Sequence, residues 1–161
     1  MRWKLSFLEL ARLMLAAMTV FLLLFWVGSA SNADVSLGEL EAVTAPQLLE
    51  GEAQKADERM LRRLYGLNPS DYAEIVLYYP ASNMGVEELL LVKLKDAAQT
   101  ETVEAAIEAR LTAQKQSFDG YGVEQTALLN NNAVTEVRGG YILFAVGVNA
   151  QAIRQAFLGA L

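Results

Sequence analysis

The sequence predicts an α+β domain: an antiparallel sheet with helices against it in two layers, behind an N-terminal transmembrane helix. Three observations carry this expectation. Leu13 to Gly28, LMLAAMTVFLLLFWVG, runs without a single charge. Two pairs of strand-forming runs, 72–79 with 88–95 and 133–138 with 141–148, are joined by turn residues. Residues 100–118 repeat apolar side chains at helical spacing.

The apolar segment comes first. Crossing a bilayer takes about 20 residues of helix. Leu10 to Gly28 reaches that length if Arg12 snorkels to the headgroups, and Trp3 and Trp26 suit the two interfaces. Arg2, Lys4 and Arg12 precede the segment, and Asp34, Glu39 and Glu41 follow it. The positive-inside rule then predicts a single-pass protein of the cell membrane, N-terminus cytoplasmic and the rest extracytoplasmic. A cleaved signal peptide is the alternative, since Ser31-Asn32-Ala33 offers small residues for cleavage and a secreted product. The organisation expected is a stub and anchor over residues 1–28, a spacer over 29–36 and one domain over 37–161.

Composition narrows the function. The chain has 13 basic and 19 acidic residues. Setting aside Arg2, Lys4, Arg12 and Glu9 leaves 10 basic and 18 acidic residues beyond the anchor. That balance argues against nucleic acid as a partner. There is no cysteine and no histidine. Disulfides, Ser-His-Asp and Cys-His catalysis, and His or Cys zinc sites are therefore excluded.

Along the exported part, Ser36 and Glu39 form a capping box, and Leu37, Leu40 and Val43 share one helical face. Pro46 ends or restarts that helix, and 51–56 reads as a polar break. A helix over 57–65 turns Met60, Leu61 and Leu64 inward, then stops at Gly66 and Pro69. Ile75, Val76, Tyr78 and Tyr79 favour a strand, paired across the Pro80–Gly85 turn with ELLLVKLK. In the helix over 100–118, Val103, Ile107, Leu111, Gln114 and Phe118 form one row. Asn130 to Asn132 reads as a turn, Gly139-Gly140 as a two-residue hairpin connection, and Asn149 as the cap of a last helix with Ile153, Ala156 and Phe157 inward. Tyr141 to Val146 is apolar on both faces, as in a central strand. After two short helices the order is ββαββα.

No catalytic, cofactor-binding or metal-ligating set emerges. The carboxylate pairs Glu87-Glu88, Asp71 with Glu74, and Asp119 with Glu124 are the raw material for glycoside chemistry, but each also reads as surface charge or a cap. One candidate recognition surface remains: Ser82 and Asn83 in the strand–strand turn, and Asp119 and Tyr121 in a helix-end loop. Turn hydrogen bonding is the alternative for Ser82 and Asn83, and core packing for Tyr121.

Several runs support a resemblance: Met60-Leu-Arg-Arg-Leu-Tyr-Gly66, Tyr79-Pro-Ala-Ser-Asn-Met84, Glu88-Leu-Leu-Leu-Val-Lys93, Phe118-Asp-Gly-Tyr-Gly122 with Glu124-Gln125, and Arg138-Gly-Gly-Tyr141. Together they resemble domain of unknown function 4358, a family of exported, membrane-attached proteins of Firmicutes. The resemblance implies a bacterial location and a fold, and no activity. The functional expectation is a non-enzymatic, membrane-anchored module that binds a membrane or envelope component. The alternatives are a carboxylate-dependent enzyme acting on envelope glycans and a structural subunit of a membrane complex.

Overall fold

The computed structural model describes residues 12, 14–16, 18–20 and 35–161. Most of the predicted transmembrane segment therefore lies outside the described residues. Those of it that are described are helical, and among the described residues no helix is long and apolar enough to cross a membrane. Met1–Asp34 and Val35–Leu161 are separate compact units.

In the second unit, helix α1 (Leu37–Thr44) starts at the predicted capping box, with both the Ser36 and Glu39 halves formed. Val43 is exposed and not inward as expected. Thr44 is buried in its place, its Oγ1 donating to the Leu40 carbonyl at 2.6 Å. Strand β1 (Ala53–Lys55) occupies the stretch expected to be a polar break. It is short, edge-placed and half polar, so no period-2 apolar pattern marks it. Helix α2 (Glu58–Tyr65) is capped by Asp57, whose Oδ1 accepts from Met60 N at 2.7 Å, and ends at Gly66 with φ 68°.

Strands β2 (Glu74–Pro80) and β3 (Glu88–Lys93) form the expected antiparallel pair. Helix α3 (Thr100–Phe118) buries Val103, Ile107, Gln114 and Phe118. Helix α4 (Val123–Asn131) is a correction: Asn130 and Asn131 close a helix and do not form a turn. Strands β4 (Ala133–Arg138) and β5 (Tyr141–Val146) pair across Gly139 and Gly140, whose φ values of 57° and 87° are those a tight primed hairpin turn requires. Helix α5 (Ala150–Ala160) follows Asn149. That side chain does not cap the helix; its Nδ2 donates to the Gln47 carbonyl at 2.9 Å and ties the start of α5 to the 3-10 turn, Ala45–Gln47, that follows α1.

The five strands form one antiparallel sheet in the order β1-β2-β3-β5-β4. The central strands explain the layering. In register, Leu90 lies between Leu77 and Phe144, and these side chains pack with Leu61, Val103, Ile107 and Leu129 of α2, α3 and α4. Leu91 lies between Val76 and Leu143 and faces the other way, onto Leu37, Leu40, Ile153 and Phe157 of α1 and α5. Helices thus cover both faces, and the domain is α+β in three layers rather than the expected two. The apolar character of β5 on both faces required this, because a sheet covered on one side leaves alternate residues in water.

Candidate functional site

A cavity of about 270 Å³ opens where α2, α3 and the β2–β3 turn meet. Helix α2 lends it Met60, Arg63 and Leu64; α3 lends Arg110, Gln114, Ser117 and Phe118. The end of β2 and the turn contribute Tyr79, Pro80, Ser82, Asn83 and Gly85. The two half-exposed apolar residues that α2 was expected to bury, Met60 and Leu64, are cavity wall; Leu61 and Tyr65 fill the core.

The floor is polar and organised by Glu88. This residue shares the sheet face of Leu90 and Val92, so the pleat carries its carboxylate into the core, where it is wholly buried. Four donors reach it. Arg110 Nε donates to Oε1 at 3.0 Å and Arg110 Nη2 to Oε2 at 2.7 Å. Gln114 Nε2 donates to Oε2 at 2.9 Å, and the Tyr65 hydroxyl donates to Oε1. Burial, then the Glu88 charge, hold the Tyr65 hydroxyl well above the usual phenol range. Burial works against the Arg110 charge, but the bonds and charge of Glu88 outweigh it and raise its pKa further. Arg110 stays a cation, and the pair is internally neutral.

One atom is left over. Gln114 Oε1 is buried and has no partner. A flip of the amide does not cure this, because a carboxylate only accepts and the amide nitrogen must face it.

Above the floor the rim carries unspent polar groups. The β2–β3 turn is closed by its backbone, Gly85 N donating to the Ser82 carbonyl at 3.1 Å. The Ser82 hydroxyl and Asn83 amide make no hydrogen bond among the described residues, so local turn bonding does not account for them. Arg63 likewise has no acidic partner among the described residues. Glu88 stands behind the floor, and no Asp or Glu lines the cavity.

The helix-end loop sits beside this site. Gly122 lies against Phe118, where a Cβ would come within 2.6 Å of the ring, so only glycine lets the chain turn there into α4. Gln125 Nε2 then donates to the Met84 carbonyl at 3.2 Å, which ties the start of α4 to the β2–β3 turn. Tyr121 is 62% exposed, its ring centroid 5.9 Å from that of Phe118; it lies outside the core and does not line the cavity. Asp119 is exposed and does not line the cavity. The structure thus brings Ser82 and Asn83 to the cavity and leaves Tyr121 and Asp119 outside its lining, Tyr121 against the ring of the lining residue Phe118.

The other acidic pairs lead elsewhere. Glu87 turns from Glu88 to accept from Leu49 N at 3.1 Å, and burial pushes its carboxyl up. Glu74 pairs with Lys93 at 3.6 Å. Among the described residues, no group of three acidic side chains is placed to hold a metal ion.

Residues 48–147 match the family described as Domain of unknown function (DUF4358). The chain belongs to this family. No curated protein and no solved structure matches it. The DUF4358 match spans β1 to β5 and every residue that lines the cavity, while α1 and α5 lie outside it. Four of the five runs behind the resemblance meet here: Met60–Gly66, Tyr79–Met84 and Phe118–Gly122 build the walls and rim, and Glu88–Lys93 supplies the carboxylate behind the floor.

Sequence reasoning missed Glu88, Arg110, Gln114 and Arg63. Two signals were present. Glu88 falls in period with Leu90 and Val92, and Gln114 falls in the apolar row of α3.

Proposed function

We propose that this DUF4358 protein is a non-enzymatic binding module, held at the outer face of a cell membrane by its N-terminal segment, with the cavity beside the Ser82–Gly85 turn as its ligand site. The observation that carries the reading is the lining. In a domain whose residues 35–161 include 17 acidic and 10 basic side chains, this concavity is lined by two guanidinium groups, that of Arg110 paired with Glu88 behind it, and by no carboxylate. Among the described residues the Ser82, Asn83 and Arg63 side chains have no hydrogen-bond or ion-pair partner, whereas Ser117 donates to the Ala113 carbonyl, and the volume of about 270 Å³ lies just below the roughly 300–1,000 Å³ range of small-molecule sites. Attachment is supported by the flanking charges of the 10–28 segment and by Met14, Leu15, Met18 and Val20, which are 55–70% exposed. An extracytoplasmic, bacterial setting fits the absence of cysteine. The carboxylate-enzyme alternative gains nothing from Glu88, whose oxygens are spent on four donors, or from Glu87, which faces Leu49.

The test is site-specific photo-crosslinking in intact cells. A benzophenone amino acid at Ser82 is expected to give a defined adduct; the same group at exposed Gln155, on α5, is expected to give none. Equal labelling at both positions, or none at Ser82, contradicts the assignment.

A further inference from the structure

We propose that a second, smaller pocket, which shares Gly85 with the cavity, is a docking surface for another protein and takes one lysine side chain of that partner. The pocket holds about 130 Å³, and Leu49, Glu52, Met84, Glu87, Glu124 and Val148 supply its charge and its apolar walls. This surface goes beyond the function proposed for the cavity and does not depend on it.

The deciding group is Glu87. It directly precedes the register pair Glu88–Val146, which sets it against Gly147, where a Cβ would come within 2.1 Å of its Oε2. The residue is only 5% exposed, yet it lines the pocket. Oε1 accepts from Leu49 N, and Oε2 has no partner among the described residues. Oε2 is not sealed in, because among the described residues Gln114 Oε1 is the fully buried side-chain atom that lacks a partner. A donor from outside can therefore reach it.

The surroundings say which donor. Glu52 and Glu124 share the lining, no lysine or arginine does, and among the described residues none of the three carboxylates has an ion-pair partner. Burial pushes the Glu87 carboxyl up, the Leu49 N–H opposes this, and the charge of Glu52 adds to the rise. An ionised Glu87 thus weakens the fold, and an arriving cation relieves that cost. With Oε1 occupied, one oxygen remains, which suits the compact ammonium of lysine better than the two-pronged guanidinium of arginine. The aliphatic lysine stem matches Leu49, Met84 and Val148, which are 42%, 53% and 54% exposed. A pocket of about 130 Å³ admits one side chain and falls well below the roughly 300–1,000 Å³ of small-molecule sites. The cation therefore arrives attached to a larger body, and the exposed apolar walls are what such a body covers.

Isothermal titration of the full-length protein in non-ionic detergent micelles tests this, with heats of dilution into empty micelles subtracted. The probe is the peptide acetyl-Ala-Leu-Lys-Leu-Ala-amide, which is expected to bind. The same peptide with norleucine for lysine keeps the stem and loses the charge; it and n-butylammonium, the bare stem and head, should each bind at least roughly tenfold more weakly. The arginine version should bind several-fold more weakly than the lysine one. Glu87→Gln should weaken the lysine peptide roughly tenfold while raising the thermal midpoint at neutral pH, so binding and stability move in opposite directions. The double variant Glu52→Gln/Glu124→Gln should weaken it several-fold, whereas Glu101→Gln/Glu108→Gln, which removes two exposed acids of α3, should leave it unchanged. No binding of the lysine peptide, equal binding of the norleucine or arginine peptide, or full binding by Glu87→Gln overturns the proposal. Equal binding of n-butylammonium shows a site for small amines and overturns the docking of a protein.

Discussion

Arg110 grips Glu88 through two parallel hydrogen bonds, of 3.0 and 2.7 Å, around a carboxylate with no exposed surface. A buried ion pair of this kind adds little over a well-packed apolar pair, because both charges lose their hydration. Removing one partner is another matter, since the other charge is then stranded. Glu88→Leu should therefore cost about 3–5 kcal/mol, and Arg110→Met a comparable amount. The double variant should recover much of the loss. Urea denaturation of the four proteins as a double-mutant cycle measures the coupling. Additive losses would show that the two side chains act independently.

Ile107 lies in the middle of the buried row of α3 and is 3% exposed. Ile107→Ala should cost about 2–5 kcal/mol, part of it from the cavity left behind. Denaturant midpoints at constant slope read this directly. A loss under about 0.5 kcal/mol, as for a surface change, would contradict the packing.

Glu87 is expected to govern a pH dependence. Burial raises its carboxyl pKa, Leu49 N–H opposes the shift, and Glu52 adds to it. An acid whose folded pKa is raised stabilises the fold below its unfolded value, about 4.5, and loses that contribution as pH rises through the folded value. Glu87→Gln keeps an acceptor for Leu49 N–H but carries no charge. It should therefore melt higher than the parent at neutral pH, with the gap closing below about pH 4.5. Calorimetry across that range checks the sign, and a gap that widens on acidification would contradict it.

Attachment to the membrane is tested by fractionation. The protein should pellet with membranes, resist alkaline and high-salt extraction, and expose residues 34–161 to protease on intact protoplasts. A soluble product beginning at Asp34 would show that the segment is cleaved.

How much of this was legible follows from how local each cause is. Helix α3 could be read because its row repeats within the helix itself. The β2–β3 pair and the glycine hairpin could be read because strand-forming runs flank short turns. Helix α4 could not, since Leu129 is its only fully buried side chain and Val123 is 81% exposed. Strand β1 could not, since its identity comes from pairing with β2 and not from its own three residues. The site was half legible. Ser82, Asn83 and Tyr121 were visible as turn and loop residues. Arg110 and Glu88 are 22 residues apart and meet only once α3 lies across β3, so no spacing announces them. Glu88 looked like a surface acid beside Glu87 until the pleat was counted.

On the reading proposed above, the cavity and the neighbouring Tyr121 loop form one binding surface. The most direct measurement is the yield of the Ser82 photo-adduct in Asn83→Ala and Tyr121→Ala backgrounds, taken with the thermal midpoint of each. Neither side chain is part of the core, so both variants should melt within about 2 °C of the parent. The adduct is expected to fall several-fold in both while the midpoints hold. An adduct that persists at full yield in both, or that falls only in step with the midpoint, would contradict it.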